Sequence, residues 1–171
     1  LDFAITWIND DVIEEVCKLT KIEIFKTHID LVSLRTFKGL QDLITLKELR
    51  LSQYSHDMSY LQELSLMRGM QLEKITLQLS ESNLGKDGHE IMIQMSNNFR
   101  YLRHIELINR SIAILDTIIQ NFPNLESILL DFFAVFGAPE DRLVISDEKI
   151  LHNLKQLVVT NINVNDEEND R

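Results

Sequence analysis

Five histidines, one cysteine and several paired carboxylates are the residues of this chain whose side chains could do covalent or acid–base chemistry. His28, His56, His89, His104 and His152 fall at no spacing that would set two imidazoles on one helix face, as H-E-x-x-H does for zinc. Cys17 has no second cysteine with which to form a disulfide or a zinc site, and it follows Val12, Ile13 and Val16 in an apolar helical stripe, so it reads as core rather than nucleophile. The pairs Asp10/Asp11 and Glu14/Glu15 lie near the start of a predicted helix, where carboxylates complement the helix dipole without acid–base work. The stretch "NLGKDGHE" at 83–90 has two glycines and a lysine but not the G-x-x-x-x-G-K-[ST] order that wraps a phosphate, and it reads as a turn before a helix. Asn109-Arg110-Ser111 has the form of a glycosylation sequon, a triplet that arises easily by chance. No catalytic or metal-ligating constellation assembles from these residues, and the expectation is a non-enzymatic protein with neither cofactor nor metal.

The elements that would carry any other function are more regular. The phrase L-x-x-L-x-L, with apolar substitutions, recurs as Leu19/Ile22/Ile24, Leu46/Leu49/Leu51, Leu72/Ile75/Leu77, Leu102/Ile105/Leu107, Leu125/Ile128/Leu130 and Leu154/Leu157/Val159. Successive copies start roughly 23 to 30 residues apart, the period of a leucine-rich repeat with one slight overrun. In each copy the last two apolar residues belong to a short strand and point inward, while the first fills the bend that leads into it. One such unit cannot bury its apolar face alone; a stacked neighbour supplies the partner.

Between the strands, apolar residues fall at i, i+3, i+4 and i+7, as in Leu115, Ile118, Ile119 and Phe122, or Gly88, Ile91, Met92, Met95 and Phe99. These segments read as helices. "INDDVIEEV" from Ile8 and "ISDEKIL" from Ile145 set side-chain oxygens ahead of an apolar run, where they can accept from free helix N–H groups. Pro123 ends the helix containing Phe122, since it has no N–H and disfavours helical dihedrals in the residue before it.

The period, the helical connections and the phrases "FPNLESILL", "LRHIELIN" and "ISDEKILHNLKQLVVTN" together resemble the ribonuclease-inhibitor-like, cysteine-containing leucine-rich repeats of F-box proteins, which read C-P-N-L-x-x-L-x-L-x-N-C-x-x-I-T-D. Phe122-Pro123-Asn124-Leu125 matches C-P-N-L, Asn109 and Asn161 match the asparagine after the strand, and Ile145-Ser146-Asp147 and Ile8-Asn9-Asp10 match I-T-D, whereas the usual cysteines are replaced by Phe, Arg or Ile. The resemblance implies an α/β leucine-rich-repeat solenoid: a right-handed βα superhelix bent into a horseshoe with a parallel sheet on its concave side. It also implies a role in presenting a substrate to a cullin-based ubiquitin ligase, with the adaptor-binding F-box in a segment upstream of Leu1. The expected organisation is a repeat domain over 1–162, opening on a partial repeat, and an acidic disordered tail over 163–171.

With 171 residues, 44% of them hydrophobic, the chain can bury a sizeable core. Its formal net charge of −10 argues against nucleic acid and anionic membranes as partners, and the unpaired cysteine favours a reducing, intracellular compartment. The expected partner is a protein or peptide gripped by the concave strand surface, because side chains alternate along a strand and every second one faces away from the core. This frame nominates Phe25, Glu48, Arg50, Lys74, His104, Glu106, Ile108, Leu129, Asp131 and Val158 as partner-binding residues, with Ile108, Leu129 and Val158 forming either a docking patch or the seat of a C-terminal cap. Phe132, Phe133 and Phe136, in a longer connection before Gly137 and Pro139, fill the core beneath that loop or serve as an exposed aromatic anchor.

Overall fold

The computed structural model describes residues 2–5, 8–29, 32–53, 58–79, 86–108, 114–133 and 153–162. Seven strands form a single parallel sheet in which spatial order equals chain order: β1 (Asp2–Ile5), β2 (Ile24–His28), β3 (Glu48–Gln53), β4 (Lys74–Leu79), β5 (His104–Ile108), β6 (Ser127–Phe133) and β7 (Gln156–Ile162). Parallel neighbours cannot be joined by a hairpin, so each link must cross back over the sheet. Helices serve that purpose: α1 (Asp10–Cys17) after β1, α2 (Leu34–Phe37) running into a 3-10 turn at Lys38–Asp42 after β2, then α3 (Ser59–Leu66), α4 (Lys86–Asn98) and α5 (Leu115–Asn121).

Local chemistry sets the helix ends. The Asn9 side chain accepts from the backbone N–H of Val12 at 3.2 Å and so caps α1, as the "INDD" stretch predicts, and Ser33 caps α2 in the same way through Thr36 N–H. The chain leaves α5 at Phe122, immediately before Pro123. Gly69, with φ of +83°, makes the left-handed step between α3 and β4 that a residue with a Cβ would resist.

One continuous core runs between sheet and helices. Strand residues Phe25, Leu49, Ile75, Ile105 and Ile128 occupy one buried column, Thr27, Leu51, Leu77, Leu107 and Leu130 a second, and Ile22, Leu46, Leu72, Leu102 and Leu125 lie buried where the chain turns into each strand. From the helix side they meet Ile13, Val16, Phe37, Leu61, Leu64, Ile91, Met92, Met95, Ile118 and Ile119. Polar bolts tie neighbouring helices together. Ser65 Oγ donates to Gln94 at 2.8 Å, Asn98 donates to the Ser65 carbonyl at 2.6 Å, His89 Nδ1 meets the Thr117 hydroxyl, and Tyr60, edge-on to Phe37, donates to the Val32 carbonyl.

The register corrects the expected frame of the first strand phrase. Phe25 pairs with Leu49 and Thr27 with Leu51, so the phrase is Ile22/Phe25/Thr27 and not Leu19/Ile22/Ile24. Leu19 belongs to the exit of α1, its N–H bonded to the Val16 carbonyl, and is 41% exposed. A threonine at the third inward position hides the true phrase, whereas Leu19 supplies a false start three residues early. β1 adds a seventh strand, in register with β2 through Phe3↔Phe25 and Ile5↔Thr27.

Candidate docking surface

Parallel sheets are ordinarily covered on both faces and their strands then read as unbroken hydrophobic runs. Here β2 and β5 alternate buried and half-buried residues, because the helices cover one face only. The opposite, outer face consists of three rows running across the strands. The first is Ile24, Glu48, Lys74, His104, Ser127 and Gln156; the second is Lys26, Arg50, Thr76, Glu106, Leu129 and Val158; the third is His28, Ser52, Gln78, Ile108, Asp131 and Thr160. Neighbours within a row lie about one strand spacing, ~4.8 Å, apart.

Glu48, Arg50, Lys74, His104, Glu106, Ile108, Leu129 and Val158 all take outer-face positions, half-buried except for the exposed Arg50, and Asp131 falls at the third-row position of β6. Phe25 does not. It is fully buried in the inward column, a consequence of the three-residue slip, and Lys26 takes the outer position that the slipped frame denied it. Leu129 and Val158 stand side by side, but Ile108 pairs with Asp131 and is only diagonal to Leu129, so the apolar patch is a pair with an outlier. Phe132 and Phe133 continue β6, paired with Asn161 and Ile162, instead of belonging to the following loop. Phe136, the "ISDEKIL" stretch and the acidic tail lie outside the described residues.

Electrostatically the face is divided. Over β2 to β4 it carries Lys26, Arg50 and Lys74 against the single carboxylate of Glu48; over β5 to β7 its described side chains include Glu106 and the apolar Ile108, Leu129 and Val158, with no Lys or Arg among them. Long ion pairs run within and between the rows: Lys74 to Glu48 at 3.8 Å within the first, and Lys26 to Glu48 at 3.9 Å and Lys74 to Glu106 at 3.9 Å between the first and second. Three hydrogen bonds fix polar side chains across adjacent strands, from the Thr76 hydroxyl to Glu106 at 3.1 Å, from Ser52 to Gln78 at 3.2 Å and between His104 Nδ1 and Ser127 at 2.8 Å. Beside Leu129 and Val158 lies a depression of about 320 Å³ rimmed by Lys74, His104, Glu106 and Gln156.

A second feature escaped sequence reasoning. One residue ahead of each strand from β2 on stand Glu23, Lys47, Glu73, Arg103, Glu126 and Lys155, alternating in sign. The carbonyl of each of the first five accepts from two successive N–H groups of the next unit, for example Glu23 from Lys47 at 2.8 Å and Glu48 at 2.9 Å. At this leading edge Arg100, Arg103 and Lys155 line a hollow of about 410 Å³, whose carboxylate, Glu126, already holds Arg103 at 3.4 Å and Lys155 at 2.7 Å. The Lys155 hydrogen bond holds the Glu126 carboxyl below its usual range. The signal was present in the sequence as charge alternation at the repeat period, visible only after the first phrase is put in frame.

Among the described residues no group of three His, Cys, Asp or Glu side chains could hold a metal ion, and no helix is long and apolar enough to cross a membrane. Cys17 is half-buried, and burial pushes its thiol up to about 11.

No protein-family model matches the chain, and no curated protein does. Among solved structures it is similar to internalin C2 from Listeria monocytogenes str. 4b F2365, with 14% sequence identity and a TM-score of 0.37 over 86% of this chain and 64% of that one. The chain thus spans less than two thirds of that protein's length.

Proposed function

We propose that this chain is a non-enzymatic protein-recognition module, a leucine-rich-repeat solenoid of horseshoe form whose concave wall is the outer sheet face. The carrying observation is a parallel sheet with one side that no described helix covers, that side built of polar, charged and a few apolar residues held in rows. A recognition surface needs an apolar anchor within a polar rim, and Leu129 with Val158 beside Lys74, His104 and Glu106 has that composition. Peptides selected on the immobilised chain from a random library should lose binding when Leu129 and Val158 are both replaced by Asp, with the circular-dichroism spectrum unchanged. Unaltered affinity would place the docking surface elsewhere.

The narrower reading makes the chain the substrate-recognition region of an F-box-like ubiquitin-ligase subunit. It is supported by the Phe122-Pro123-Asn124-Leu125 and Ile145-Ser146-Asp147 phrases and places the protein inside the cell. Full-length protein should then co-purify with the ligase adaptor through a segment upstream of Leu1. Without such co-purification the module is a scaffold or inhibitor with no link to ubiquitin.

A further inference from the structure

Resting on the outer-face reading, we infer that the ligand is an extended peptide segment of a partner protein, that it runs across the strands rather than along one, and that it has a fixed polarity. An acidic side chain lies over the β2–β4 half, and a large apolar side chain lies on Leu129 and Val158. The division of the face carries this inference. Arg50, the exposed cation of the second row, has no carboxylate within ion-pair distance among the described residues, whereas Lys26 and Lys74 share the Glu48 carboxylate at long range. Three cations to one carboxylate therefore make this half net positive in a chain whose formal charge is −10, and among the described residues no carboxylate has to be displaced for an anion to reach Arg50.

The other anchor lies in the same row. Arg50, Thr76, Glu106, Leu129 and Val158 are successive members, one per strand. At ~4.8 Å per strand, the step from Arg50 to the centre of the Leu129–Val158 pair is about 17 Å. Side chains on one side of an extended peptide recur every ~6.7 Å, so the two anchors are four to six residues apart in the ligand. Thr76, between them, is 1% exposed and bonded to Glu106, which leaves a low stretch over which backbone can pass. A docked helix would instead need an apolar stripe at i, i+3, i+4 and i+7, and this face offers only the Leu129–Val158 pair with Ile24 and Ile108 apart from it.

The test is selection of 12-residue peptides from a random library on the wild-type chain, followed by fluorescence-polarisation titration against Arg50→Glu, Leu129→Asp and wild type, each checked for an unchanged circular-dichroism spectrum. Selected peptides should carry Asp or Glu four to six residues from a bulky apolar residue, and Arg50→Glu should weaken them on the order of tenfold. Replacing the peptide's acid with Lys should restore binding to Arg50→Glu while weakening binding to wild type. If Leu129→Asp abolishes binding but Arg50→Glu and the charge swap change nothing, or if the peptides carry no acid, the polarity is wrong and the docking face survives. If neither substitution matters, or no peptide is selected on the wild-type chain, the inference and the docking face fall together.

Discussion

Replacing Phe25 with Ala decides the frame of β2, on which the outer-face assignment of Ile24, Lys26 and His28 depends. In the register with Leu49 the ring is fully buried within the common core, so its removal deletes transfer free energy and leaves a cavity. Truncation of such a residue costs about 3–5 kcal/mol. For a domain of this size, where 1 kcal/mol corresponds to about 2–4 °C, the melting temperature should fall by roughly 6–20 °C. Lys26→Ala, one residue on, is the control: its side chain is 35% exposed and its carboxylate partner sits at 3.9 Å, so the change should stay within about 0.5 kcal/mol. Both are measured by thermal and urea unfolding followed by circular dichroism. The reasoning is refuted if Phe25→Ala is as mild as Lys26→Ala, because Phe25 would then face outward as the slipped frame requires.

Other consequences are local. Asn9→Ala removes the side-chain acceptor at the start of α1 and should cost about 1 kcal/mol, read as a lower urea midpoint; no change would mean that the Val12 N–H is satisfied otherwise. Glu126, held below its usual carboxyl range chiefly by the Lys155 hydrogen bond, stabilises the fold above the unfolded-state carboxyl value, and that share is lost as pH falls through its lower folded value. Glu126→Gln should therefore flatten the acid limb of a plot of melting temperature against pH, and identical acid limbs would contradict the pairing. Cys17, with its thiol pushed up to about 11, should resist a thiol reagent at pH 7.5 in the native protein and react at once in urea; rapid native labelling would contradict its packing.

The strands from β3 on were legible in sequence because each phrase places Leu, Ile or Val at both inward positions, and the helices α4 and α5 because they bury residues at helical spacing. The first unit was not. Thr27 is inward although polar, buried with its hydroxyl donating to the His28 carbonyl, and only hydrogen bonding between β2 and β3 reveals its place. One slipped strand turned an inward Phe25 into a nominated contact and concealed Lys26, as any odd-numbered slip does to a strand with period two. The grouping of Ile108 with Leu129 and Val158 failed differently: the sequence shows which residues share a face, but the step from row to row comes from register. The extension of β6 through Phe133 was hidden because an aromatic run after the repeat phrase has the composition of a filled loop as much as of a strand.

The central claim is that the strands stand side by side in chain order with one face that no described helix covers. Pulsed electron–electron distance measurement tests it directly, with spin labels paired between Lys26 and, in turn, Glu106, Leu129 and Val158 in a Cys17→Ala background. Second-row neighbours one strand apart predict separations that lengthen in that order by about 5 Å per strand, near 14, 19 and 24 Å before any curvature of the sheet. A Val158 label as close to Lys26 as the Glu106 label, or any reversal of the order, would contradict it.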